Sequence, residues 1–525
     1  MIRNHVCLVA IGAMYVLLVA LGGEADAQLR IVTYNTNTFG TEVGNSNIRR
    51  ARSEVDTVLQ AIGEESVNGI ARPADIILLQ EQQQPDTTTQ DLVNRLNTIY
   101  AGQGITYARG TRIGNTTSGN GMGTPNAGEI RQGVIYRTDS VQLISETSFG
   151  DLSGGLISQP RQTLLHQFRP SGYGPDADLY IFNSHFEAGD FQEDLAGRET
   201  EAREIRRFID NNQLGNRNVI VAGDLNVDSN FESSGIAEFG GNSALEILSA
   251  SGNGRVLDPL FPNGESVDFQ IYNFGVPNTP FGVNLAPFLT QSPTGQGGSL
   301  VGGGIDDRFD FILQSDELLD GEGVASIDGS LRSFGNNGST PNDQINDGNT
   351  ININGLTSFT TGEVLDALEA ASDHLPVITD FQVPAMLEAI LVGSIPDTIM
   401  LGDAIDLEVT IANIADVLVP LAADELDFQL ITSGDLIGNA SGVDSALGGV
   451  FSTLVTLDTT QSGARDGIIT VSSSSPGVAN GQVVIPVSFT VTAIPEPSMF
   501  ALLCVGGIAM ARKRRRALLS VTSNH

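Results

Sequence analysis

The chain has 525 residues, 27 basic against 62 acidic, and a net charge of −35. That excludes a protein that holds nucleic acid by a broad basic surface, because such proteins neutralise phosphates with many Lys and Arg side chains. Hydrophobic residues make up 40% and charged residues 17%, which excludes a wholly disordered chain. The only cysteines, Cys7 and Cys504, lie in terminal apolar segments, so a disulfide framework and a cysteine-based zinc site are excluded between them.

The N-terminus reads Met1-Ile2-Arg3, then an apolar run from Val6 to Gly23, then Ala25-Asp26-Ala27. A basic start, an apolar middle and a small-x-small site are the parts of a secretory signal. Signal peptidase is expected to cut after Ala27 and leave Gln28 first. The body, residues 28–493, then holds 21 basic and 59 acidic residues, a charge of −38. That suits a solvated exported protein.

Residues 29–383 mix short apolar strands with amphipathic helices. Leu29–Asn35 alternates as a strand, and Ile48, Ala51, Val55, Val58 and Ile62 recur at helical spacing. Ala74–Leu79, Gly133–Arg137 and Leu179–Ser184 are further strands, and Phe191, Leu195, Ala202, Ile205 and Ile209 mark a helix. The Arg and Glu residues of 198–207 read as its solvated face, tied by i,i+4 pairs. Asn218–Ala222, Phe309–Leu313 and Val377–Phe381 complete the strands, and the alternation predicts layered α/β sheets. Residues 228–304 and 318–360 are long polar loops. A faint calcium-loop pattern from Asp343 to Asn354 is set aside, because Ile345 stands where an oxygen ligand belongs.

From residue 385 helix signals vanish. Ile405–Ile411, Val450–Leu457, Ile468–Val471 and Val483–Val491 are short strand-like runs, and 384–492 reads as an immunoglobulin-like β-sandwich, a spacer or adhesion module. Then Ile494-Pro495-Glu496-Pro497 precedes an apolar run, Met499 to Ala511, and a basic stop, Arg512-Lys513-Arg514-Arg515-Arg516. The run is short for a permanent anchor. This order resembles the PEP-CTERM sorting signal of Gram-negative exopolysaccharide-producing bacteria. The resemblance implies export, recognition of the membrane-seeking tail (493–525) by an exosortase-type enzyme with removal of that tail, and an extracellular or cell-surface destination near exopolysaccharide matrix.

The chemistry lies where strands end in polar groups. Asn35 follows Ile31–Tyr34, Glu81 follows Ile76–Gln80, Asp224 and Asn226 follow Val219–Gly223, Asp310 sits within Phe309–Leu313, and Asp373 and His374 precede Val377. Carboxylates converging on a sheet rim suit hard cations, Mg²⁺, Mn²⁺ or Ca²⁺. Of the body's three histidines, His185 and His374 lie at strand ends, while His166 reads as structural.

In this order Tyr34-Asn35, Gln80-Glu81, Gly133–Arg137, Pro160-Arg161, Asn183-Ser184-His185, Gly223-Asp224-Leu225-Asn226, Asp307–Leu313 and Ser372–Val377 resemble the endonuclease/exonuclease/phosphatase superfamily. The resemblance implies an α/β fold, a four-layer α/β sandwich of two packed β-sheets flanked by helices, at residues 28–383. It implies metal-dependent cleavage of phosphate esters, with Mg²⁺ the expected metal. It assigns Asn35, Glu81 and Asp373 to the metal and Asp224 to the attacking water. Asn226 would hold a phosphate oxygen, Asp310 would pair with His374, His185 would contact the scissile phosphate and Arg161 the substrate.

These features lead to the expectation of an exported, monomeric, metal-dependent phosphodiesterase, foremost a nuclease acting on extracellular DNA or RNA. The alternatives are a sphingomyelinase-like phospholipase C, with Phe269, Tyr272, Phe274 and Phe281 as a membrane contact, a sugar or inositol phosphatase, and a surface adhesion module on an inactive fold.

Overall fold

The computed structural model describes residues 28–40, 49–50, 53–82, 85–112, 131–150, 161–189, 191–227, 243–262, 284–295, 300–494 and 512–513. The expected secretory leader, the aromatic residues at 269–281 and nearly all of the expected sorting tail lie outside them. No helix of the described residues is long and apolar enough to cross a membrane.

Twelve strands build two sheets. In chain order they are β1 (Leu29–Gly40), β2 (Ile76–Gln82), β3 (Tyr107–Arg109), β4 (Arg131–Arg137), β5 (Val141–Phe149), β6 (Thr163–Pro170), β7 (Leu179–His185), β8 (Asn218–Asp224), β9 (Val256–Leu257), β10 (Asp310–Ser315), β11 (Arg332–Ser333) and β12 (Val377–Phe381). The first sheet runs β11-β12-β1-β2-β4-β3, with Arg49–Arg50 paired to the end of β1, and the second runs β9-β10-β8-β7-β6-β5. In each sheet the central pair, β1/β2 or β7/β8, is parallel and its flanking strands are antiparallel.

The strands are apolar on both faces, as buried sheets require. Ile31, Ile76 and Leu78 face the second sheet, where they meet Ile181, Ile220 and Ile312. Their neighbours Val32, Ile77 and Leu79 face outward, under three helices. These are α1 (Ser53–Glu64), α2 (Pro85–Ile99) and α5 (Thr361–Ala371). On the far side α3 (Gln192–Asn211) and α4 (Ala244–Ser249) cover the second sheet, with Ile205, Ile209, Leu245 and Leu248 against Phe182, Val219 and Val221. The result is the expected four-layer α/β sandwich.

Several boundaries differ from the expected ones. The first helix begins at Ser53, not near Ile48. The second strand is Ile76–Gln82, so Glu81 belongs to it. Asp310 opens its strand and does not lie inside it. Helices α2 and α5 are not among the expected elements, although Leu92, Leu96 and Ile99 in α2 and Val364, Ala367, Leu368 and Ala371 in α5 recur at helical spacing and the Thr360/Glu363 capping box marks the start of α5. The polar stretch 318–360 is not merely loop, since Phe334, Ile345 and Ile353 are buried in the outer core. Burial of Ile345 agrees with setting the calcium-loop pattern aside. The charged residues of 198–207 are only partly a solvated face. Arg203 and Glu199 pair on the surface, whereas Arg198 and Glu201 are buried.

The C-terminal region is a β-sandwich. One sheet orders Leu387–Val392, Asp406–Asn413, Phe451–Leu457 and Leu436–Ile437, and the other Ile399–Met400, Gln482–Thr492, Gly463–Ser473, Leu426–Gly434 and Ala440–Asp444. It is not loosely tethered. Val383, Ala415, Val417, Ala422, Ala423, Ala446 and Ala479 join the core between the two catalytic sheets. Tyr173 Oη donates to Pro384 O at 2.8 Å, and Gly323 N donates to Asp424 Oδ2 at 3.0 Å.

Two buried groups carry stability. Arg30 on β1 is fully buried and donates to Asp380 Oδ1 (2.7 Å), Asp380 Oδ2 (3.1 Å) and the carbonyls of Ile62 (2.6 Å) and Arg72 (3.1 Å). Removing one partner of such a pair strands a charge in the interior. Asp380→Asn should therefore cost about 3–5 kcal/mol, read from denaturant midpoints, and an unchanged midpoint would contradict the assignment. His166 is fully buried, with neither ring nitrogen hydrogen-bonded. Burial pushes its pKa down to about 4. The unfolded chain thus binds the proton more readily, so stability falls as pH drops from about 6.5 towards 4, by up to about 3 kcal/mol. His166→Leu should flatten this limb, and an unchanged difference between pH 7 and pH 4 would contradict it.

Candidate active site

The parallel pairs decide where the chemistry gathers. β1 and β2 bring Asn35 beside Gln80, with Glu81 next in the chain. β7 and β8 bring His185 level with Asp224, and antiparallel β10 places its first residue, Asp310, opposite Asp224. β12 runs antiparallel to β1, so Asp373 and His374 arrive at the same rim just before it starts. Strands from both sheets thus deliver polar residues to one edge.

Contacts between the sheets fix this edge. Gln80 Nε2 donates to Asn183 Oδ1 at 2.8 Å, and Asn183 Nδ2 donates to Gly133 O at 2.9 Å. At the rim, Asn35 Nδ2 donates to Asp224 Oδ2 at 2.8 Å, and Ser372 Oγ donates to Asn35 O at 2.7 Å. The backbone is bent to suit. Glu81 has φ +54°, Asn226 φ +48° and Asn37 φ +45°, a region that non-glycine residues seldom occupy outside turns and functional sites. Glu81 falls in a register shift between Leu79 and Gln82, an irregularity of the kind that re-aims a side chain.

His374 Nδ1 lies 2.7 Å from Asp310 Oδ2, and His374 Nε2 lies 3.7 Å from Asp224 Oδ2. Burial alone would lower the pKa of His374, but the charges of Asp310 and Asp224 outweigh it and raise the pKa well above the usual value. His185 Nε2 lies 3.5 Å from Asp224 Oδ2 and 3.9 Å from Glu81 Oε1. Burial, aided by the charges of Arg161 and His374, pushes His185 well below its usual value. The two histidines are therefore shifted in opposite directions, His374 up and His185 down. Burial raises Asp224, with Asp310 and Glu81 adding to the rise against the pull of His374 and Asn35. Glu81 is raised by burial and then by the charge of Asp373.

Asp224 Oδ1 also accepts from Asn226 N at 3.0 Å, and Asn226 Nδ2 donates to Phe186 O at 3.0 Å. Asp373 Oδ2 accepts from Val301 N at 3.1 Å, while its buried Oδ1 has no partner. Arg161 is more buried than a free substrate contact would be. Its guanidinium donates to Phe186 O, and its backbone N–H donates to Glu201 Oε1 at 3.2 Å. All nine expected site residues gather in this region, Arg161 and Asn226 meeting at Phe186 O and Asp373 joining through His374 beside it and its charge on Glu81.

The donors fit a hard divalent cation. Asp373 keeps a buried oxygen without a partner, and crowding of like charge raises Glu81, which a cation would relieve. Ligand atoms of Glu81, His185 and Asp224 lie within 4.8 Å of one another. That grouping shares only Glu81 with the Asn35, Glu81 and Asp373 set expected from the sequence.

Three further contacts were not anticipated. Gln291 Nε2 lies 3.0 Å from His374 Nε2. Thr290 Oγ1 accepts from Phe309 N at 3.1 Å, next to Asp310, and Leu375 N donates to Thr290 O at 2.9 Å. No spacing signal marks Thr290 and Gln291, which lie in a polar stretch.

Residues 32–374 match the family model described as "Endonuclease/Exonuclease/phosphatase family". The chain belongs to that family, whose members are typically phosphoesterases dependent on a divalent metal. Residues 493–516 match the PEP-CTERM protein-sorting motif, a mark of exported proteins sorted to the surface of Gram-negative-type bacteria. No protein of curated function matches the chain in sequence. Among solved structures it is similar to the human Nocturnin catalytic domain with bound sulfate anion. That match has 14% identity and TM-score 0.36, over 68% of this chain and 96% of that one. An endonuclease/exonuclease/phosphatase from Bacteroides vulgatus gives 16% identity and TM-score 0.34, over 68% and 99%. D. rerio TDP2 complexed with single strand DNA product gives 16% and 0.34, over 68% and 100%.

Gly223, just before Asp224, has φ +141°, and a Cβ there would lie 1.8 Å from Ser184 O. Gly223→Ala should cost about 2–4 kcal/mol by forcing β7 and β8 apart. A denaturant midpoint equal to that of the parent chain would refute this.

Proposed function

We propose that the chain is an exported, metal-dependent phosphodiesterase that hydrolyses DNA or RNA outside the cell. It would comprise a leader (1–27), a catalytic domain (28–383), a β-sandwich (384–492) and a sorting tail (493–525). The observation that carries this reading is the buried Asp310–His374–Asp224 series, with His185 and Glu81 beside it.

Glu81, with Asn35 and Asp373, would hold the cation, Mg²⁺ first among candidates because the donors are oxygens. A bound divalent ion supplies neutralisation of the phosphate and of charge developing in the transition state. Asp224, held by Asn35 Nδ2 and Asn226 N, is aimed to take a proton from the attacking water. His374, its Nδ1 held by Asp310 and its Nε2 set between Asp224 and Gln291, would place positive charge beside the phosphate. Neutral His185 and the Asn226 amide supply hydrogen bonds to phosphate oxygens in a site where they need little reorganisation. Arg161 acts through Phe186 and by its charge on the neighbouring Glu81 and His185.

The test is purified mature chain with linear and plasmid DNA, RNA, sphingomyelin and small phosphate monoesters, with Mg²⁺, Mn²⁺, Ca²⁺ or EDTA. Metal-dependent loss of nucleic acid is expected, with EDTA abolishing it. Asp224→Ala and His374→Ala should each lower turnover at least about 10²-fold with the fold intact by circular dichroism. Cleavage of lipid or monoester alone would replace the nuclease reading, and full activity in either variant would overturn the site assignment.

A further inference from the structure

Helix α3 buries two charged residues, Arg198 and Glu201, where the sequence suggested a solvated face. Their partners explain the burial. Arg198 Nη1 donates to Glu187 O (2.8 Å) and Gly189 O (2.9 Å). Glu201 accepts from Glu187 N (3.0 Å) and from Arg161 N (3.2 Å). The chain leaving His185 is therefore clamped to the helix beneath it. Just before the helix, Phe191 N donates to Asp194 Oδ2 at 3.0 Å, and Asp194 N donates to Phe191 O at 2.9 Å. At the end of this anchored arm the Phe191 side chain is 72% exposed, more than any other large hydrophobic residue among those described.

An aromatic ring so exposed gains nothing for folding, yet buried charges and a capped helix start hold its backbone in place. It follows His185 by six residues, so no more than about 22 Å of chain separates them. That is a reach of a few nucleotides along a bound strand. The charge balance gives the ring a use. A body at −38 cannot draw affinity from many phosphate contacts. Stacking of a base on an aromatic ring is tolerant of sequence and needs no phosphate contact of its own.

We propose that Phe191 is a stacking platform for an unpaired nucleobase within a few nucleotides of the scissile phosphate, making single-stranded nucleic acid the preferred substrate class. The inference rests on the nuclease reading and refines it. The arm supplies position, the ring supplies grip, and the Asp224–His374 centre cleaves.

The test compares the parent chain with Phe191→Ala, Phe191→Leu and Phe191→Trp on three probes. These are a single-stranded oligonucleotide, the same strand carrying abasic sugars, and a small chromogenic phosphodiester. Phe191→Ala and Phe191→Leu should raise KM for the oligonucleotide about 5- to 100-fold and leave kcat and the chromogenic diester unchanged. Phe191→Trp should restore the parent KM. Abasic substitution should weaken binding of the parent chain and leave Phe191→Ala indifferent. An unchanged KM in Phe191→Ala, with the parent chain cleaving nucleic acid, would overturn the platform and spare the nuclease reading. A parent chain inert on nucleic acid would overturn both.

Discussion

Everything at the rim depends on two β-sheets being held in one relative position. Apolar packing between sheets is not directional, and Ile31, Leu78, Ile181 and Ile220 would tolerate a small slide. Hydrogen bonds across the gap do not tolerate it. The Gln80–Asn183 amide pair and the Asn35–Asp224 bond must each be made by one residue from each sheet. A buried amide that missed its partner would carry the whole cost of its desolvation. These bonds turn an oily interface into a fixed register, and the fixed register brings Glu81, delivered by the first sheet, within reach of His185, delivered by the second.

With the register fixed, the same few angstroms hold two histidines in opposite states. His374 lies between two carboxylates, Asp310 and Asp224, and their field outweighs its burial. His185 is just as deeply set, and although Asp224 Oδ2 lies 3.5 Å away, its burial, with the charges of Arg161 and His374 added, pushes it down. The two rings are thus shifted in opposite directions. An acidic protein can in this way offer phosphate a locally favourable pocket without a basic exterior.

The four-layer body was legible in the sequence, and strand ends marked candidates for the rim. Each rim residue follows or precedes a short apolar run, which singled out Asn35, Glu81, Asp224 and His374, while their roles came from the order of the motifs and the family resemblance. Helix α2 was harder to see, since Leu92, Val93 and Leu96 are its only buried large apolar residues amid polar ones. Arg198 and Glu201 share the composition of the exposed Arg203–Glu199 and Arg207–Glu204 pairs, and nothing local separates a buried charge from a solvated one. The difference lies in partners, Glu187 and Arg161, that come from other parts of the chain. Gln291 was hidden for the same reason, since its meaning comes only from His374, distant in sequence.

The β-sandwich closes the end of the intersheet core opposite the rim. Strand β12 starts beside His374 and ends at Phe381, where the core continues into Val383 and Ala423. The last sandwich strand, Gln482–Thr492, starts near Ala479 at this junction and carries the chain away from it for 11 residues. The sandwich and the two-sheet body therefore share one apolar core, so a pull on the sandwich would be felt by the side chains that hold the two sheets together.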